Sequence, residues 1–281
     1  MGMEKTLEIK QDQPPRKPPL YITLAKRLLR LLVLLYLGFL IMGYLFADKL
    51  IFPGRNSYTQ DSPGMFKIPL ADGVQLTALY LRNPQARYTI LYYHGNGEDL
   101  GDLEDIFREY YFENGFSVFA YDYRGYGTSG GKPSSDTAQA DALAAFDYLV
   151  REKQVPPEKI ILLGKSLGGA FACRVAAERP VAGLILESTF CTAFTAITQV
   201  PLLPFDRLKT IDLLPQVHCP VLVIHGTRDR LIPVRHGRRL YAAANPPKQC
   251  LWIENAGHNG LLLVAKEKYF KTLQEFTSNL R

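Results

Sequence analysis

The sequence predicts an α/β fold: a mostly parallel eight-stranded sheet with helices on both faces and a short lid, preceded by one transmembrane helix. Three observations predict it. Along residues 53–281, short and continuously apolar runs alternate with helical patterns, as strands do when both faces of a parallel sheet are covered. The first two runs are instead joined by a tight turn, the mark of a hairpin. Ahead of them all stands a 17-residue stretch without a charge, "LLVLLYLGFLIMGYLFA", Leu31 to Ala47.

Residues 1–30 form a basic tail. Seven cationic side chains (Lys5, Lys10, Arg16, Lys17, Lys26, Arg27, Arg30) oppose Glu4, Glu8 and Asp12, so +4 of the net +6 resides there and the remaining chain is nearly neutral. No basic face follows, and no nucleic acid is expected as a partner. Within the tail, "QDQPPRKPP" reads as a solvated segment, and "MGMEKT" fits the loose N-myristoylation pattern through Gly2 and Thr6.

As a helix, Leu31–Ala47 rises about 26 Å, close to a hydrocarbon core of roughly 30 Å. Leu28, Leu29 and the "LIF" at 50–52 lengthen it, so residues 31–52 are expected to anchor the chain in a bilayer. A buried core helix and a cleaved signal peptide are the alternatives. A 30-residue head is long for a signal's charged region, and Leu45 stands where cleavage needs a small residue, which favours an uncleaved anchor. Five Lys or Arg flank the span on its N-terminal side and three (Lys49, Arg55, Lys67) on the other. That bias puts the N-terminus in the cytoplasm and the catalytic domain, 53–281, on the opposite side. Removal of residues 1–52 is expected to release a soluble, active domain.

With 47% hydrophobic and 21% charged residues, the chain is too apolar to be disordered. "FKIPL" (66–70) and "VQLTALYL" (74–81) flank the turn "ADG" and make the hairpin. Six further strands are expected at 88–95, 116–122, 159–164, 182–188, 219–226 and 249–254. The last helix shows its stripe in Tyr269, Leu273, Phe276 and Leu280. Cys173, Cys191, Cys219 and Cys250 are too few for a disulfide framework and show no C-x-x-C; Cys219 and Cys250, both opening strands, are the one pair worth watching.

Three glycines surround Ser166 in "IILLGKSLGGAFA" (160–172), between a buried strand and a helix. G-x-S-x-G at that place reads as a nucleophile elbow: the serine sits on a strained turn, and small neighbours keep adjoining backbone clear of it. A hydroxyl needs a base to take its proton, and the base needs a carboxylate to set its tautomer. Downstream, Asp229 in "VIHGTRDRLIP" and His258 in "WIENAGHNG" stand in loops after strands, in the chain order Ser, Asp, His. The other histidines fit less well: His218 and His225 lie before or within a strand, His236 on an exposed helix, His94 in the loop "HGNGEDLGD". Glu187, closing an earlier strand, is the alternative acid. The backbone N–H groups of Asn96 and Leu167 are expected to form an oxyanion hole. Asp122 and Arg124 in "DYRGYGTSGG" read as structural.

Taken in order, "HGNGED", "DYRGYGTSGG", "GKSLGG", "HGTRDRLIP" and "GHN" resemble the α/β-hydrolase superfamily over about residues 60–281. Within it, the chain is similar to membrane-anchored α/β-hydrolase-domain proteins and the related protein depalmitoylases. The resemblance implies Ser166 as nucleophile, Asp229 as acid, His258 as base, and Asn96 and Leu167 as oxyanion donors. It says little of the substrate, because the superfamily includes esterases, thioesterases, lipases, peptidases and inactive members.

Residues 190–218 form a short apolar lid in which Phe190, Phe194, Ile197, Val200, Leu202, Leu203 and Phe205 either line an acyl pocket or pack a helix onto the sheet. The expected function is a membrane-anchored serine hydrolase that cleaves carboxylic esters or thioesters through an acyl-enzyme, with no metal or cofactor. Its expected partners are an ester or thioester substrate, such as an acylated lipid or protein, and the lipid bilayer. A catalytically silent fold serving as a membrane-tethered binding protein, and a serine peptidase, are the alternatives. An intact triad argues against the first, and a chain of 281 residues leaves the second little room for an added domain.

Overall fold

The structure is a computed structural model that describes residues 19–199 and 202–280, apart from the Ile197 side chain. The tail residues 1–18 and Val200 of the lid lie outside the described residues. Helix α1, Leu20–Ile51, starts eleven residues ahead of the uncharged run and is long and apolar enough to cross a membrane. The chain divides into two compact units between Leu45 and Phe46, so the last turn of α1 belongs to the second unit.

That second unit is a three-layer α/β structure. Strands β1 (Met65–Pro69), β2 (Gln75–Leu81), β3 (Thr89–Tyr93), β4 (Ser117–Tyr121), β5 (Ile160–Lys165), β6 (Gly183–Glu187), β7 (Val221–Gly226) and β8 (Lys248–Ile253) form one sheet in the order β1-β2-β4-β3-β5-β6-β7-β8. The sheet is mixed. β1 with β2 and β2 with β4 are antiparallel, and the other five pairings are parallel. The hairpin turn closes through Gly73 at φ +82°, a conformation that favours glycine.

Strands β3, β4, β6 and β7 are buried at every residue, which explains why their sequences show no polar alternation. Successive side chains divide between two cores. Leu91, Leu162, Leu184 and Val223 pack with helices α3 (Ser135–Arg151), α4 (Gly168–Glu178) and α7 (Arg235–Ala243). Ile90, Ile161, Ile185 and Ile224 pack with α2 (Leu100–Ile106) and α8 (Leu261–Ser278), whose Tyr269, Leu273 and Phe276 are buried, as is Leu280 just beyond it. The lid holds α5 (Ala193–Thr198) and α6 (Thr210–Leu213).

Two expectations need correction or completion. His236 is buried, because its face of the strongly basic α7 turns inward, where its Nδ1 accepts the Cys191 N–H at 3.3 Å. The four cysteines are free thiols, Cys219 and Cys250 included.

The topology itself marks the functional edge. After β3 the chain runs to β4 on one side, then returns to β5 on the other. Loops leaving β3 and β5 therefore diverge at their carboxyl ends and leave a crevice, the place where open α/β sheets bind ligands.

Candidate active site

β5 ends at Lys165 and α4 begins at Gly168, so the chain reverses within two residues. Ser166 makes the turn at φ +53°, a left-handed conformation that costs an ordinary residue on the order of 1–2 kcal/mol. Its backbone is held on both sides. The Ser166 N–H donates to Glu187 O at 2.8 Å, and Thr189 Oγ1 donates to Ser166 O at 2.5 Å. The surrounding glycines answer to close approach. A Cβ at Gly164 would lie 2.4 Å from Gly168 O, and one at Gly168 would lie 2.0 Å from Tyr93 O. Any side chain at either position would push the elbow off β3 and β5.

His258 and Asp229 arrive from the loops after β8 and β7, and their side chains complete a chain of contacts. His258 Nδ1 lies 2.7 Å from Asp229 Oδ2, and His258 Nε2 lies 3.1 Å from Ser166 Oγ. An ionised carboxylate only accepts hydrogen bonds, so the proton resides on Nδ1 and the Nε2 lone pair faces the serine hydroxyl. Asp229 Oδ1 accepts the Leu231 and Ile232 N–H groups at 2.9 and 2.8 Å. Burial opposes its ionisation. Hydrogen bonds from His225 and His258, the His258 charge and the Ile232 N–H outweigh that and hold the carboxyl well below the usual carboxylate range.

Glu187 sits elsewhere. It accepts the Tyr269 hydroxyl at 2.5 Å, and burial raises its carboxyl above the ordinary value. Asp122 and Arg124 are likewise engaged in the framework. Arg124 donates to Asp141 at 2.7 and 2.8 Å and to Asp72 at 2.6 Å, and Asp122 accepts the Leu100 N–H at 2.9 Å and the Tyr58 hydroxyl at 2.5 Å.

A cavity of about 450 Å³ opens at Ser166. Asn96 and Leu167 both line it, and neither backbone N–H donates to an acceptor among the described residues. The walls are mainly apolar: Phe190, Ala193 and Ala196 from the lid, Leu231 and Ile232 after β7, and Leu50 and Ile51 from the last turn of α1. Among the described residues, Arg230 is the one charged residue in the lining. Of the lid residues proposed from sequence, Phe190 lines the cavity, whereas Phe194 stacks edge-on against Phe205 at 5.9 Å. Leu50 and Ile51 went unrecognised because they end an apolar run that reads as membrane throughout. The polar Asp48, which accepts from Ser135 at 2.6 and 2.9 Å, is the signal that the helix changes surroundings there. Among the described residues no cluster of three or more His, Cys, Asp or Glu is placed to hold a metal ion.

A family model described as serine aminopeptidase, S33, matches residues 84–210. The chain is 39% identical over 197 residues to α/β hydrolase domain-containing protein aho-3 of Caenorhabditis elegans, a match that covers 69% of this chain and 58% of that protein. It is 33% identical over 228 residues to human α/β hydrolase domain-containing protein 17B, covering 79% and 78% of the two chains. Among solved structures, an esterase from Pyrococcus furiosus superposes with a TM-score of 0.66 at 20% identity, over 81% of this chain and 99% of the esterase. A monoacylglycerol lipase from Paleococcus ferrophilus gives 0.58 at 20% identity, over 72% and 98%. Those two likenesses bear on the fold. The 33% identity to the human protein over 78% of its length establishes that this chain belongs to the α/β-hydrolase superfamily and is a hydrolase.

Proposed function

We propose that the protein is a membrane-anchored serine hydrolase that cleaves carboxylic esters or thioesters carrying an acyl chain. The observation that carries this reading is the continuous contact Ser166–His258–Asp229 at the mouth of an apolar cavity. Ser166 Oγ attacks the carbonyl carbon as its proton passes to His258 Nε2, and Asp229 stabilises the imidazolium that forms. The Asn96 and Leu167 N–H groups receive the charge that develops on the carbonyl oxygen. His258 then gives the proton to the leaving alcohol or thiol, and water, deprotonated by the same nitrogen, hydrolyses the acyl-enzyme.

The cavity's composition supports an acyl chain as the part of the substrate bound there, since eight of its twelve lining residues are apolar. Residues 31–52 serve as a single-pass anchor, with the N-terminus in the cytoplasm and the catalytic unit opposite, as the flanking charges favour. An aminopeptidase reading draws on the description of the matching family model. It is the weaker one, because a free amino terminus calls for a carboxylate in the pocket and the lining carries Arg230 instead.

Full-length protein in detergent, assayed on p-nitrophenyl esters and acyl thioesters of rising chain length, tests the proposal. Hydrolysis should increase with chain length, a fluorophosphonate should label Ser166, and Ser166→Ala should abolish both. Wild-type protein that resists the probe yet binds a ligand would identify a silent fold, and turnover of aminoacyl p-nitroanilides in place of esters would identify a peptidase.

A further inference from the structure

Two charged side chains belong to the motifs around the site and have no part in the steps above. Lys165 directly precedes the nucleophile in "GKSLGG", and Glu98 follows the oxyanion loop in "HGNGED". Their side chains form an ion pair, only 12% and 20% exposed, so water screens it far less than a surface pair. Glu98 is engaged at both oxygens. Oε1 meets the Lys165 ammonium, and Oε2 accepts the Gly95 N–H at 2.9 Å. The Glu98 N–H in turn donates to Gly95 O at 3.2 Å.

Gly95 stands against the nucleophile. A Cβ there would lie 3.7 Å from Ser166 Cβ and 3.1 Å from Glu98 Oε2. The contacts therefore close a ring: Ser166 to Lys165 by the chain, Lys165 to Glu98 by charge, Glu98 to Gly95 by hydrogen bond, and Gly95 back to the face of Ser166. The Glu98 N–H thereby holds Gly95 O, the carbonyl of the peptide that carries the Asn96 N–H, and His94 Nδ1 donates to the same oxygen at 2.8 Å.

We infer that the Lys165–Glu98 ion pair fixes the Asn96 N–H in register with the Leu167 N–H, making Lys165 and Glu98 positioning residues for the oxyanion hole; this rests on the serine-hydrolase reading of the site. Donors that stabilise a developing charge must already be oriented before the charge appears, and a loop between a strand and a helix has no ladder of its own to orient them. Lys165 lies on the nucleophile's own backbone, so tying Glu98 to it references the loop to the reacting atom. The pair also has electrostatic balance. Burial alone would raise the Glu98 carboxyl, but Lys165 and the Gly95 N–H outweigh it and hold it below its ordinary value. Glu187 lines a separate cavity of about 210 Å³ with Lys165, yet hydrogen-bonds to Tyr269, so Glu98 is the carboxylate that takes the ammonium. Without Lys165, a bare buried carboxylate would remain beside the position where the oxyanion forms.

The test uses full-length protein in detergent with Lys165→Met, Glu98→Gln, the double variant of those two, and Lys165→Arg. The readouts are kcat and KM on p-nitrophenyl hexanoate, and the inhibition constant of hexylboronic acid, which forms a tetrahedral adduct on a serine oxygen. Lys165→Met should lower kcat and weaken the boronic acid in parallel by about 30- to 100-fold, with KM changed less than about twofold. Glu98→Gln, which keeps the side-chain shape, should lower both about 10-fold, again in parallel. The double variant should exceed Lys165→Met, because it lacks the stranded carboxylate, and Lys165→Arg should recover most of the activity. Loss confined to KM, or unchanged kcat and boronic acid affinity in both single variants, would overturn the inference. If Lys165→Met does not fold, Glu98→Gln decides alone by the same two readouts. Full activity in Ser166→Ala would instead remove the serine reading, and the inference with it.

Discussion

Three N–H groups converge on the Asp229 carboxylate, from Leu231, Ile232 and His258, and His225 Nε2 stands 3.4 Å away while donating to Ile232 O at 2.8 Å. A carboxylate so surrounded remains ionised far below neutral pH, as its lowered pKa indicates. The acid limb of kcat/KM should therefore follow one ionisation, and a limb of slope two would mean that Asp229 titrates in the working range. Asp229→Asn should lower kcat about 10³- to 10⁴-fold, since an amide at that place no longer selects the tautomer or stabilises the imidazolium. Glu187→Gln should lower it less than about 10-fold, because the amide oxygen still accepts the Tyr269 hydroxyl. Steady-state kinetics of the two variants checks the assignment; the reverse ranking would transfer the acid to Glu187. Both acids stand at strand ends in the sequence, and what separates them is which one turns toward the loop after β8. That is a matter of side-chain direction between distant segments, for which the local pattern carries no signal.

At the scale of elements, the last turn of α1 is part of the catalytic unit. Ile51 and Phe52 are buried, Phe52 stacks on Phe171 at 6.3 Å, and Asn96 Nδ2 donates to Ile51 O at 3.3 Å. Asp48 accepts the N–H and hydroxyl of Ser135 at the start of α3, and Leu50 with Ile51 walls the cavity. Against the expectation that residues 1–52 can be removed, we propose that these contacts make residues 46–52 part of the active domain. A chain of residues 46–281 should be soluble and keep the activity of the full protein. One of residues 53–281 should lose at least about 10-fold in kcat/KM for long-chain esters and melt several degrees lower, as the loss of the three buried side chains Ala47, Ile51 and Phe52 implies. The full-length chain should resist carbonate extraction. Equal activity and melting temperature for the two truncations would show that the turn is dispensable, and recovery of the full-length chain in the carbonate supernatant would remove the anchor. The apolar run is legible in the sequence because composition and length are local properties. Where packing against the catalytic unit begins along it is not, since Leu and Ile suit lipid and protein alike.

Across the whole molecule, Asp122 ties several segments together. It accepts the Tyr58 hydroxyl ahead of β1 and the Leu100 N–H at the start of α2, while its own N–H donates to Thr77 O in β2. Burial raises its carboxyl to about 7, with the bonds from Tyr58 and Leu100 opposing that only in part. The folded protein thus keeps a proton that the unfolded chain releases at ordinary carboxylate pH, so this group's contribution to stability is full below about pH 4 and is lost as pH rises through about 7. Asp122→Asn should gain on the parent protein across that window, by an upper bound of about 4 kcal/mol, and show little advantage at about pH 4. Urea unfolding of both proteins at about pH 4.5 and pH 8 measures it; a gain independent of pH would mean that the carboxyl titrates normally. The eight strands, the hairpin, the helix after each later strand and the elbow at Ser166 are legible in the sequence, because side-chain period, glycine placement and turn chemistry act over a few neighbouring residues. His236 reads as exposed for the same reason, since the arginines around it dominate the local pattern of α7, yet it is buried. The contact of Asp229 with His258, the pairing of Lys165 with Glu98, and the place of Leu50 and Ile51 in the cavity wall emerge from the folded chain. Each of these joins segments brought together where the strand order reverses at the carboxyl edge of the sheet, and the free energy of such contacts arises from side-chain fit and desolvation between parts of the chain that share no local period.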